Sequence, residues 1–297
     1  MLTRDGIPER TVVAAGALRA QFDPQVQPLR VLITLTDEEL LVLHDSTEPV
    51  GLDLPWISAR ERNGSGFSRR EARLSATRSM VARGLLAPDS VLARVEGRPV
   101  VASPDSVTPN ALLAGIQGRV VLSPLLVRVD APLKDGAEIV NCYVDTDEST
   151  LIERVSPDGL HQFLMCSRDR ARELLQERLT KFSAPAPGDE REAGSPRTVR
   201  TVVESDWDGL LSDSEVGPLL AAPTTRSRIS TVHRPDGATD SALVVFSDDG
   251  AAVVVDAQTS TADGGASDPS AKLRAGTATR SDIRRLVDSV TEFRSEP

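Results

Sequence analysis

The sequence predicts an α+β fold of two pseudo-symmetric halves, each a largely antiparallel sheet with flanking helices. Three observations lead there. Short runs of β-branched and aliphatic residues are divided by turn-forming Pro, Asp and Gly, which is the pattern of a meander. The segment 183–198 is rich in Pro, Gly and charge and has no periodic apolar face, so it reads as a linker between an N-terminal half (1–182) and a C-terminal half (199–297). Both halves also end alike, with strands joined through a Pro-Asp-Gly turn and then an amphipathic helix closing on Leu179-Thr-Lys-Phe or Val290-Thr-Glu-Phe. That similarity suggests a degenerate internal duplication.

Taken in order, residues 9–34 alternate apolar and polar around Pro24 and Pro28 and read as short strands. Thr36 then opens a helix, with Glu39 placed to complete a capping box. The stretch from Gly51 to Ile57 reads as an extended connector that docks Trp56 on the core. After the turn at Asn63 and Gly64, Ser68 caps a second helix carrying Ala72, Leu74, Met80 and Val81, which Gly84 stops. Val91–Val95 and Pro99–Ala102 read as short strands, Asn110–Ile116 as a short helix and Arg119–Ala131 as a strand. The meander follows, over Ile139–Val144, Leu151–Val155 and Leu160–Cys166, its last connection turned by Ser156, Pro157, Asp158 and Gly159. Residues 168–182 form an amphipathic helix. A second strand region covers Arg228–His233, Ser241–Phe246 and Ala251–Asp256, and a helix from Arg280 to Phe293 completes the chain.

Composition narrows the function. Hydrophobic residues make up 39% but aromatics only 3%, so Leu, Val, Ala and Ile must build the core. No run approaches the length of a membrane span and the N-terminus lacks the pattern of a signal peptide, so a cytoplasmic protein is expected, without membrane insertion. Cys142 and Cys166 lie in apolar runs and read as buried, reduced thiols. A net charge of −10 argues against a general nucleic-acid binder.

No catalytic constellation emerges. His44, His161 and His233 lie on unlike elements without metal-ligand spacing to Cys, Asp or Glu, and no phosphate-binding or nucleophile motif is present. The pair Asp145 and Asp147 lacks the glycine and closing glutamate of a calcium loop. A non-enzymatic protein with no cofactor and no metal is therefore expected. One segment departs from the acidic whole: residues 58–98 hold nine arginines against four acids. With a helix before two expected strands, this segment supports an alternative reading as a winged-helix DNA-binding regulator, with Arg69, Arg70, Arg73 and Arg78 on phosphates.

Several motifs together resemble the EspG family: the run Leu35 to Leu43 with Thr36, Asp37, Glu38 and Glu39; the Leu54-Pro55 connector; the helix end Ala82-Arg-Gly-Leu-Leu; Val144-Asp-Thr-Asp; Ser156-Pro-Asp-Gly-Leu-His; and Phe246-Ser-Asp-Asp-Gly. Members of that family are cytosolic chaperones of actinobacterial type VII (ESX) secretion, built as two pseudo-symmetric α+β halves. The resemblance implies a monomeric chaperone that grips a helical secretion substrate, PE-PPE-like or another helical hairpin, and keeps its apolar surface from aggregating. It further implies a binding surface on the sheet and the helices of the second half, for which Leu210, Leu211, Val216, Leu219, Leu220 and the strand from Ile229 are the candidates.

Overall fold

The computed structural model describes residues 9–23, 25–43, 53–64, 66–97, 99, 106–133, 136–145, 149–180, 202–205, 207–221, 223, 225–233, 239–246, 252–257 and 273–292. Along the chain the elements run α1 (Glu9–Ala20), β1 (Leu29–Thr36), α2 (Asp37–Leu43), α3 (Pro55–Arg62), α4 (Arg69–Ala82), β2 (Leu86–Pro88), α5 (Asp89–Val95), β3 (Val107–Pro109), α6 (Ala111–Leu122), β4 (Leu125–Leu133), β5 (Gly136–Val144), β6 (Ser149–Val155), β7 (Leu160–Ser167), α7 (Arg168–Thr180), β8 (Val202–Ser205), α8 (Trp207–Ser212), α9 (Gly217–Ala221), β9 (Thr225–His233), β10 (Thr239–Phe246), β11 (Ala252–Ala257), β12 (Leu273–Ala278) and α10 (Arg280–Thr291). The fold is mixed α and β with antiparallel sheets, as the sequence predicted. Packing divides the chain into two compact units, Met1–Ser123 with Asp147–Ser167, and Pro124–Thr146 with Arg168–Pro297. That division differs from 1–182 and 199–297, and the expected linker 183–198 lies outside the described residues.

In the first unit β7 pairs with β1 on one side and β6 on the other, with Leu35 opposite His161 and Val155 opposite the same histidine. The helix α1 replaces the short strands expected at 9–20. Its buried Ala15 and Leu18 pack on α6 at two glycines. A Cβ on Gly115 would stand 2.9 Å from the Ala14 carbonyl oxygen, and one on Gly118 would stand 2.6 Å from that of Thr11. The helices meet closely because these glycines carry no side chain, and that tertiary contact outweighs a weak strand pattern.

Three further expectations fail for local reasons. Pro55 stands at the start of α3, where its fixed φ suits a first helical turn, so the presumed connector becomes a helix that buries Ile57. The presumed strand Val91–Val95 is α5, anchored by the Asp89 carboxylate, which accepts from the hydroxyls of Ser106 and Thr108. The helix α6 runs on to Leu122, so Arg119 is helical rather than the start of a strand. It stops at Ser123 because the next residue is Pro124, and the strand begins only at Leu125.

Other signals hold. Asn110 caps α6 through Leu113 N–H (3.0 Å), Ser68 caps α4 through Glu71 N–H (3.3 Å), and Gly84 ends α4 at φ 68°. In the second unit the strand order is β5-β4-β9-β10-β11-β12-β8. Along β4 the buried Leu125, Val127, Val129 and Ala131 alternate with partly exposed neighbours, the period of a strand with one face in a core. The helix α7 lays Ala171, Leu175 and Leu179 inward, and α10 opens with a full capping box between Thr279 and Asp282.

Candidate functional site

The residues picked out for partner binding occupy the second unit. Leu210 on α8, with Val216 and Leu220 on and beside α9, is 0–1% exposed and packs with Val245, Val253, Val255 and Ala275 in one apolar cluster. Leu219 is partly buried against that cluster, and Ile229 on β9 is 1% exposed. Their side chains are core, held there by the tight α8–α9 turn, where Gly217 faces the Leu211 carbonyl so closely that a Cβ would stand 2.3 Å from it. Only Leu211 of the six is exposed, at 38%.

A group the sequence reading passed over lies in the first unit. His161 on β7 is fully buried between two carboxylates: its Nδ1 lies 2.7 Å from Glu153 Oε1 on β6, and its Nε2 lies 2.8 Å from Asp37 Oδ1 at the start of α2. Asp37 Oδ2 accepts from the backbone N–H of Ile57 (3.0 Å), and Asp37 N–H donates to the Gly159 carbonyl (2.9 Å). Gly159 adopts φ 73°, and a Cβ there would fall 2.6 Å from the Trp56 Cβ and 2.8 Å from the Asp37 carboxyl carbon, so the turn residue must be glycine. Burial by itself would push the imidazole's pKa down. The hydrogen bonds and charges of Asp37 and Glu153 outweigh it and raise the pKa from 6.5 to about 9. At neutral pH the ring is an imidazolium donating from both nitrogens.

That arrangement is an internal brace. Neither nitrogen is left for substrate or metal, and the ring has no exposure to either. Beside it, Glu39 completes the capping box expected from the sequence: its Oε2 accepts from Thr36 N–H and Thr36 Oγ1 accepts from Glu39 N–H, both at 3.3 Å, while Arg83, just past the end of α4, reaches Oε1 at 2.5 Å. One signal could have pointed to this network. Glu153 and His161 occupy inward positions of the meander, and a charged residue at an inward position demands a buried partner.

The basic segment is also partly engaged within its own unit. Arg69 forms a two-pronged pair with Glu61, Arg83 binds Glu39, and Arg60 lies 4.9 Å from the centre of the Trp56 ring. The first strand of the expected wing is α5, and of the second, Pro99–Ala102, only Pro99 lies among the described residues.

In the second unit an open cleft of about 350 Å³ lies between β11, β12 and α10. Arg274 and Arg285 share it with Asp256 and Asp282. Burial pushes the Asp256 carboxyl up, opposed by Arg274 directly across the strand pair. The cleft is thus internally charge-balanced.

Among the described residues no helix is long and apolar enough to cross a membrane. No protein-family model matches the chain, and no curated protein matches it.

Proposed function

We propose that the chain is a non-catalytic chaperone of the type VII (ESX) secretion kind, which binds a helical export substrate in the cytoplasm and keeps its apolar surface from aggregating. The observation that carries the reading is where the resembling motifs meet. Asp37, Glu39, Arg83, Gly159 and His161 all belong to those motifs; Asp37 contacts both His161 and Gly159, and Glu39, two residues on along α2, pairs with Arg83. These contacts tie together β1, β7, α2, α3 and the C-terminal end of α4 instead of converging on an open cavity. A preordered scaffold suits a protein whose work is to present a surface, because little ordering entropy is then lost on binding.

The test is co-expression of the full chain with a helical-hairpin protein encoded beside it. The expected result is co-elution as a discrete complex and transfer of the hairpin protein from the insoluble to the soluble fraction. A hairpin protein that aggregates equally with and without the chain, and never co-elutes, overturns the proposal.

A further inference from the structure

The helix α4 turns a mixed face to solvent. Arg70, Leu74 and Arg78 recur every four residues and so form one stripe, directed away from the buried Ala76 and Met80. Both arginines are exposed, and Leu74 between them is 41% exposed. The next helix has the same make-up: on α5 the exposed Arg94 stands beside Val91 and Val95, 49% and 80% exposed. Both helices pack on β2. Other arginines of this segment, Arg60, Arg69 and Arg83, are engaged with Trp56, Glu61 and Glu39, while Arg70 and Arg78 stand exposed on the stripe, as do Arg62 and Arg94 elsewhere in the segment.

We propose that the Arg70–Leu74–Arg78 stripe of α4 is a docking surface for an acidic amphipathic helix, whose carboxylates meet the two guanidiniums while its apolar ridge covers Leu74. Charge complementarity selects the occupant: segment 58–98 carries five surplus cations on a chain of net charge −10. The same numbers disfavour a nucleic acid, since a long polyanion is repelled by the acidic remainder whereas a short helix interacts within one screening length, roughly 8 Å at physiological salt. Aliphatic side chains flanked by arginine are also the composition of protein interfaces, and a phosphate backbone has nothing to place on Leu74. The inference rests on the chaperone reading and adds to it a contact face in the first unit, distinct from the surface that the resemblance implies in the second half.

The experiment titrates the full chain with a labelled synthetic helix of leucines flanked by glutamates, carrying a photo-crosslinker, and with a matched peptide bearing glutamines instead. Saturable binding is expected, weakened by salt and by the Glu-to-Gln exchange, with cross-links on the segment containing α4. The double variant R70E/R78E should weaken binding by about tenfold or more, and L74S should weaken it several-fold. R70Q/R78Q serves if the charge reversals lower the melting temperature. Unaltered affinity in these variants, cross-links elsewhere, or no saturable binding overturns the assignment. So does a short DNA duplex bound in preference to the peptide through Arg70 and Arg78, which would give the face to nucleic acid. Failures of the two readings separate cleanly. If the hairpin protein co-elutes equally well with R70E/R78E, the surface is wrong and the chaperone stands. If the peptide is captured on α4 but the hairpin protein never co-elutes, the surface stands without the chaperone.

Discussion

Replacing His161 with glutamine tests the buried brace most directly. The folded imidazole has its pKa raised from 6.5 to about 9, so the native state holds this proton more tightly than the unfolded chain does. The resulting stability is fully present below about pH 6.5 and is lost as pH rises through about 9. At roughly 1.4 kcal/mol for each pH unit separating the two pKa values, the contribution is about 3 kcal/mol. Glutamine removes the charge and leaves two buried carboxylates facing one amide, so H161Q should be destabilised by about 3–5 kcal/mol near neutrality. It should also lose most of the pH dependence over that interval. The neutral triple variant D37N/E153Q/H161Q should regain part of the loss, since it strands no charge. Guanidinium unfolding at several pH values would measure this. Trp56 makes a suitable reporter beside the network once Trp207, the other tryptophan of the chain, is replaced by phenylalanine. A wild-type midpoint unchanged between about pH 6.5 and 9, or a slope in H161Q equal to that of the parent, would refute the argument.

Two further expectations follow from packing. Gly118→Ala should lower stability by about 1–3 kcal/mol, because its methyl group would meet a carbonyl oxygen and the Ala15 Cβ at 2.6 and 2.8 Å; a thermal melt that is unchanged would mean α1 can move aside. Leu210→Ala should cost about 2–5 kcal/mol by opening a cavity in the second unit's core, while Leu211→Ser, at a 38% exposed position, should change stability by less than about 0.5 kcal/mol. Denaturant midpoints would separate a core role from a surface role at these adjacent leucines.

Where a helix or turn is dictated by neighbours in sequence, reading the chain was enough. Thr36 with Glu39, Ser68 and Gly84 act over three or four residues, and each sits where its local chemistry requires. The helix α7 likewise displays its period directly, and the meander strands stand out as apolar runs divided by turn residues. The strand β12 was not legible, because it offers no alternating apolar run and contains Ala275 and Gly276, which disfavour strands; it is held by pairing with β11.

The candidate sites divide on the same line. Aliphatic residues such as Leu210, Val216 and Leu220 look the same in sequence whether they line a core or a docking face, so only the positions of Val245, Val253 and Ala275 determine which it is. His161 and Asp37 are 124 residues apart, and no local pattern links them. The sequence by itself determined the α+β class, the caps, the turns and the excess of arginine over residues 58–98, because those properties depend on neighbouring residues or on simple counts. Tertiary structure alone decided that α1 is a helix, that Leu210, Val216, Leu220 and Ile229 are buried while Leu211 is exposed, and that the imidazole is shared by two carboxylates. Each of these depends on which distant groups exclude water from one another, and that is set only when the chain folds back on itself.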